Sequence, residues 1–204
     1  RRAADRLCRY APGKTAAAPP GQLVCEDDRI AYWVGLGVRP LSKELRLAGK
    51  AGSYVRIPAN LGIIYRGEGE AEVALRYFIR CSKPGTKIVY WPRGEDGSAG
   101  MFCWMQKPDY PEFPKDGLAV QGKIRAGREA VRVPSGMDIE DKDMATGQVR
   151  RWPGHFEFGS RDQPIYLRIP VKARAGTSYP IRYSVRDASA RVHAFPYGCT
   201  VTVR

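Results

Sequence analysis

The feature that most constrains this chain is a period of two. From Glu72 to Cys81, Val73, Leu75, Tyr77, Ile79 and Cys81 alternate with Glu72, Ala74, Arg76, Phe78 and Arg80. Side chains alternate across a pleated strand, so the odd-numbered set belongs to a core. The last forty residues, Ile165 to Arg204, repeat the pattern in short runs separated by Gly, Ala, Ser and Asp. In the final run Tyr197, Cys199, Val201 and Val203 share one face while Thr200 and Thr202 share the other, a spacing that no helix satisfies. This predicts that the chain closes on a core strand. The 22 glycines and 16 prolines are scattered as punctuation, which favours many short strands joined by turns. A chain of 204 residues, 43% hydrophobic, buries a core without relying on staples. The predicted fold is all-β: an antiparallel β-sandwich, jelly-roll or immunoglobulin-like, with at most one short helix. Residues 1–21, basic and then rich in Ala, Pro and Gly, read as an arm, and 22–204 as a single sandwich domain.

Within that domain Gln22 to Val38 reads as the first two strands, and Tyr54 to Tyr65 as strand interrupted by Pro58 and Gly62. Leu41 to Lys50 is the helical candidate, with Leu41, Leu45 and Ala48 on one side and Gly49 near its end. Lys87 to Trp91 and Met101 to Met105 read as strands, and Leu118 to Ile124 and Ala130 to Val133 resume the alternation. Lys107 to Gly117 holds three prolines and is excluded from a central strand. Asp138 to Asp143 is read as a solvated acidic loop: Lys142 at the fifth position and the missing central Gly break the calcium-loop pattern.

The chain carries 34 basic and 21 acidic residues, a net charge of +13, and 24 of the cations are Arg. Arg presents a planar fork that matches carboxylate, sulfate or phosphate in a bidentate way. An anionic partner follows: acidic glycan, lipopolysaccharide, membrane surface or nucleic acid. Nucleic acid is the least expected of these, because there is no block of five like charges and no RNP pattern. No run of eighteen apolar residues suggests a transmembrane segment. The chain begins Arg1–Arg2, as a mature or a trimmed form would.

Five cysteines show no CxxC pair and only two histidines accompany them, which leaves structural zinc almost without support. The reading adopted is two disulfides and one leftover thiol, hence an oxidising compartment. Cys8 with Cys25 would tie the arm to the first strand, and Cys81 with Cys103 would join neighbouring strands. Pairing of Cys199 with Cys25 or with Cys81 stays open, as does a reducing compartment with five free thiols.

There is no GxSxG elbow, no HExxH and no Walker or Rossmann glycine pattern, and no family signature surrounds Cys199 and His193. Binding without catalysis, cofactor or metal is therefore expected. A sugar stacks its C–H face on an aromatic ring while Arg or His takes its hydroxyls. Trp91 with Arg93, Trp104, and Arg151 with Trp152 are candidate ligand residues on that chemistry. So is the turn Arg191 to Tyr197, which carries a cation, an imidazole and two rings.

That terminal stretch (Ile165 to Pro170, Ala175 to Tyr183, Arg191 to Gly198, Thr200 to Val203) resembles the end of the receptor-binding lectin domain of P-pilus-type tip adhesins, delivered by the chaperone–usher route. The resemblance covers about a fifth of the chain and is one of pattern. It implies that the basic-aromatic turn lies at a glycan site, making Arg191, His193 and Tyr197 binding residues. The expected function is a bacterial surface binding module, secreted, periplasmic or on the cell surface, recognising a carbohydrate or another anionic surface ligand. The alternative is a structural or assembly protein of the envelope, or of a pilus, that binds another protein through strand edges by β-augmentation.

Overall fold

The computed structural model describes residues 24–25, 29–36, 39–90, 110–125, 128–132, 140–143, 149–151 and 165–204. In chain order the strands are β1 (Val24–Cys25), β2 (Ile30–Leu36), β3 (Arg39–Pro40), β4 (Leu45–Gly49), β5 (Tyr54–Ile57), β6 (Asn60–Tyr65), β7 (Glu70–Cys81), β8 (Lys87–Tyr90), β9 (Leu118–Arg125), β10 (Arg128–Arg132), β11 (Glu140–Asp143), β12 (Val149–Arg151), β13 (Ile165–Arg168), β14 (Ser178–Asp187), β15 (Val192–Ala194) and β16 (Cys199–Val203). Among the described residues there is no helix.

The strands form three sheets. One runs β1-β2-β6-β10-β11-β12 with β3 beside β2, a second runs β5-β13-β8, and the third runs β4-β16-β14-β7-β9 with β15 beside β14. All pairings are antiparallel except β4 with β16. The architecture is the expected β-sandwich. Its single large core draws on all three sheets: Tyr32 and Ile63 from the first, Leu167 from the second, Tyr77, Tyr183 and Val201 from the third. In β7 the odd positions from Val73 to Ile79, and in β14 those from Tyr179 to Asp187, are buried and most even ones reach solvent, as the period of two requires. β2 is buried on both faces: Ala31 and Trp33 form, with Ile64 of β6, a small second cluster. Trp33 lies flat on Gly62, where an added Cβ would sit 1.9 Å from the indole Cε2.

Four expectations need correcting. Leu41–Lys50 is not a helix: Leu45–Gly49 is β4, paired in parallel with β16 from Cys199↔Leu45 to Val203↔Gly49. The segment fits both periods, since Leu45 and Leu47 alternate as well as Leu41, Leu45 and Ala48. The edge of β16 supplied the partner that local propensity could not anticipate. Glu140–Asp143 is not a loop but β11, and the register explains why. It pairs β11 with β10 from Arg128↔Asp143 to Val131↔Glu140 and with β12 from Glu140↔Arg151 to Lys142↔Val149, so both edges of the segment are in ladders.

The Arg191–Tyr197 turn contains a third unforeseen strand, β15, which forms a hairpin with β14 closed by Asp187 N–H to Arg191 O (3.0 Å) and Ala190 N–H to Asp187 O (3.0 Å). Ala190 takes the left-handed conformation there, with φ 63°.

The fourth correction concerns the disulfides. Cys81 and Cys199 carry free thiols. Among the described residues the ladder partner of Cys81 is Ile181 of β14. Cys81 cannot reach Cys199. Both stand in register with Ile181, on opposite sides of β14. That separates them by two strand spacings, about 10 Å, beyond the roughly 7 Å limit for a bridge. With two of five cysteines free, one disulfide at most remains for Cys8, Cys25 and Cys103. Cys8 and Cys103 lie outside the described residues, as do the arm 1–21 and the segment Met101–Met105.

Candidate anion-binding face

The even positions of β7 and β14 emerge together on the outer face of the third sheet. Register sets Arg182 beside Arg80, Ser184 beside Phe78 and Arg186 beside Arg76. Two Arg–Arg rungs thus flank a central aromatic rung. Like charges directly opposite in an antiparallel pair destabilise the sheet, so folding alone does not favour this arrangement.

Two of the four arginines are neutralised locally. Arg182 donates to Glu44 Oε1 at 2.8 Å, and Arg76 donates to Asp116 Oδ2 (3.2 Å) and Gly117 O (3.2 Å). The other two bracket Phe78. The guanidinium carbon of Arg80 lies 4.7 Å from the ring centroid and that of Arg186 lies 5.6 Å from it. Among the described residues neither Arg80 nor Arg186 has a carboxylate partner. Phe78 is held from the other side by Gly117, whose φ of 87° and lack of Cβ allow the turn to close on the ring. A Cβ there would lie 2.8 Å from Phe78 Cε1.

Glu44 organises one flank. Besides Arg182 it accepts from Thr200 Oγ1 (2.9 Å) and from the Gly198 N–H (3.0 Å). Burial alone would raise its carboxyl, but those hydrogen bonds outweigh it and hold the group below the usual carboxylate range.

Beside this face, where β7 ends and the chain turns into β8 of another sheet, a groove of about 560 Å³ opens. Phe78, Phe113, Ile88 and Pro180 give it an apolar lining, and Arg80, Arg182, Lys87 and Lys115 give it cations. Glu112 is the one carboxylate among its described lining residues, and it is engaged by Lys87. That hydrogen bond holds the Glu112 carboxyl below its ordinary range. The free Cys81 thiol also lines the groove.

The described side chains singled out from sequence, Arg191, His193 and Tyr197, are not among the residues of this face or groove. His193 lies in register with Val185, and its side chain is only 9% exposed. Its Nε2 is 2.7 Å from Asp187 Oδ2, and its ring centroid is 6.2 Å from that of Tyr32. Asp187 also accepts from Ser189 Oγ (2.7 Å) and the Arg191 N–H (2.9 Å). The imidazole is thus an internal strut of the hairpin. Tyr197 is half-buried against the core, and Arg191 is exposed at the turn. Trp91, Arg93, Trp104 and Trp152 lie outside the described residues, and Arg151 is placed only as the partner of Glu140. The arginine face escaped the sequence reading. Its signal was present in the Arg76–Phe78–Arg80 and Arg182–Arg186 spacings, but only the register brings the two sets together.

Cys199, near this face but inside the core, is chemically quiet. It is fully buried, its Sγ is 3.3 Å from the Tyr183 hydroxyl, and burial pushes the thiol up to about 12. Among the described residues no group of three His, Cys, Asp or Glu could hold a metal ion, and no helix is long and apolar enough to cross a membrane.

No protein-family model and no curated protein matches the chain. Among solved structures it is similar to a family 123 glycoside hydrolase from Clostridium perfringens, at 10% identity and a TM-score of 0.34. The match covers 86% of this chain and 28% of the hydrolase, so the chain spans little more than a quarter of that protein's length. It is also similar to the sixth cohesin of scaffoldin B from Acetivibrio cellulolyticus, solved in complex with a dockerin, at 10% identity and a TM-score of 0.23 over 79% of this chain and 98% of the cohesin. Likeness at these scores defines neither family nor function.

Proposed function

We propose that this domain is a binding module for an acidic polysaccharide, held on the outer face of the third sheet and in the adjoining groove. The observation that carries the reading is the pair of Arg–Arg rungs around Phe78: a costly clustering of cations, two of them without carboxylate partners among the described residues, at the mouth of a cation-lined groove. Guanidinium forks take carboxylate or sulfate groups in bidentate fashion. The apolar lining suits the C–H faces of a sugar. Phe78 is 7% exposed and covered by guanidinium groups, so it offers no free platform for stacking nucleic-acid bases. The module acts as a secreted or cell-surface protein in this reading, with Arg80 and Arg186 as the primary anion ligands.

The test is a glycan array followed by calorimetry on three proteins: wild type, Arg80→Ala/Arg186→Ala, and the control Lys50→Ala/Arg204→Ala. The control removes the same charge from exposed positions at the β4–β16 side of the sheet. Sulfated or uronate glycans should bind wild type and control and lose the Arg80/Arg186 variant. Equal weakening in both variants would reduce the effect to net charge and end the proposal. A stoichiometric protein partner that co-purifies equally with all three, with no glycan bound, would place function at the strand edges instead.

A further inference from the structure

The second sheet carries another cationic-aromatic surface, and it joins the groove through one residue. On β13 Ile165 and Leu167 are buried, while Tyr166 and Arg168 point the other way. Register aligns Tyr54, Arg168 and Lys87 in one rung and Arg56, Tyr166 and Val89 in the next. Residues in one rung share a face, so on β5 and β13 each tyrosine stands beside an arginine, Tyr54 beside Arg168 and Tyr166 beside Arg56. The rings are fixed by each other. Tyr54 meets Tyr166 edge-on, with centroids 6.4 Å apart at 88°, and the buried Tyr110 supports Tyr166 at 6.2 Å. The Arg168 guanidinium carbon lies 5.9 Å from the Tyr54 ring centroid. Tyr54 and Tyr166 remain half-exposed and Arg56 is exposed. Lys87 belongs both to this face and to the lining of the groove.

We infer that the bound polysaccharide continues out of the groove, past Lys87, onto the Tyr54–Tyr166 face, so that the site takes a linear polyanion of several sugar residues. This extension rests on the proposed role of the arginine face. From Lys87 to Tyr54 the rung crosses two strand spacings, about 10 Å. Along it Lys87 and Arg168 supply positive charge, with Arg56 on the next rung, and among the described residues the one acid ion-paired with these three cations is Glu112, engaged by Lys87. Sugar rings would lie against the phenol rings of Tyr54 and Tyr166 while their acidic groups meet Arg168 and Arg56. Charge complementarity selects a polyanion over a neutral glycan, and the alternation of ring and cation matches a chain that presents both along its length.

The experiment is calorimetry with heparin-derived oligosaccharides, a disaccharide and a decasaccharide, at one fixed salt concentration. Wild type should bind the longer chain more tightly by about tenfold, equivalent to roughly 1.4 kcal/mol. In Tyr54→Ala/Tyr166→Ala that gain should vanish while disaccharide affinity is unchanged. Because those rings support each other, Arg56→Gln/Arg168→Gln serves as a second variant, with the same loss expected and folding checked by thermal melting. Arg80→Ala should weaken both ligands. If the length-dependent gain survives both second-sheet variants, the extended site is wrong while the arginine face stands. If those variants weaken the disaccharide as much as the decasaccharide, the second sheet is the primary site and its role as an extension is overturned. If wild type binds neither oligosaccharide, the arginine-face reading fails and takes the extension with it.

Discussion

Removing the Asp187 carboxylate should unpin the β14–β15 hairpin, and its size can be worked from the three hydrogen bonds it accepts. The side chain is 1% exposed and receives Ser189 Oγ, the Arg191 N–H and His193 Nε2 at 2.7, 2.9 and 2.7 Å. Bonds to a charged acceptor contribute about 1.5–3 kcal/mol each, and a buried group left without a partner costs about 1–3 kcal/mol. Ser189 is exposed and exchanges its bond for water, so its share is close to zero. The Arg191 N–H and the 9%-exposed His193 side chain account for most of the effect. Deleting the carboxylate also returns part of the penalty of burying a charge. The net loss for Asp187→Ala is about 3 kcal/mol, or roughly 6–12 °C in Tm for a chain of this size. Asp187→Asn keeps an acceptor for the Arg191 N–H and requires only that His193 present an unprotonated Nε2, so it should lose about 1 kcal/mol. The sign with pH follows from the carboxyl. Burial raises it, but the bonds from His193, Ser189 and Arg191 outweigh burial and hold it below the ordinary carboxylate range. Its contribution is therefore complete above the unfolded-state value and disappears as pH falls through the lower folded-state value. Differential scanning calorimetry of wild type and both variants, at neutral pH and in strong acid, tests this. An Ala variant within about 1 kcal/mol of wild type at neutral pH, or a deficit that fails to shrink in acid, would refute the reasoning.

Four further outcomes are expected. Gly62→Ala should cost more than about 3 kcal/mol in equilibrium unfolding, because its Cβ would fall 1.9 Å from the indole of the fully buried Trp33. Arg80→Gln should stay within about 0.5 kcal/mol of wild type, since it loses a cation–π contact of about 0.5–1 kcal/mol but relieves the opposition of Arg182, of similar size; a loss above about 2 kcal/mol in a thermal melt would mark Arg80 as structural. Glu44→Gln, at a site 35% exposed on the side chain, should cost about 1 kcal/mol at neutral pH. Because the Glu44 carboxyl is held low, wild type should lose that advantage as pH falls through its folded-state value, and a constant difference across pH would contradict the assignment. Maleimide should label Cys81 and spare Cys199 in the native protein, as peptide mass mapping would report, and a heparin oligosaccharide should slow labelling of Cys81; an unchanged rate would remove the groove from the binding site.

What the sequence determined by itself is the facing of the long strands β7, β14 and β16. A period of two commits Val73, Leu75, Tyr77 and Ile79 to the core and Arg76 and Arg80 to the outside, and the same logic orders β14 and β16. These choices are local, made by burial along one segment. Which segments pair is not local, and there the sequence was ambiguous. Leu45–Gly49 carried both a helical and an extended pattern until the edge of β16 selected the latter. Glu140–Asp143 looked like a solvated loop because the strands it pairs with, β10 and β12, are identified only by the tertiary register. The structural role of His193 was not legible because Asp187, which holds it, could not be recognised as its partner before the hairpin formed. The arginine face has the same origin. Arg76 and Arg80 were legible as outward-facing, but Arg80 and Arg182 lie far apart along the chain, and only the tertiary register of β7 on β14 sets them side by side with Phe78 between the rungs.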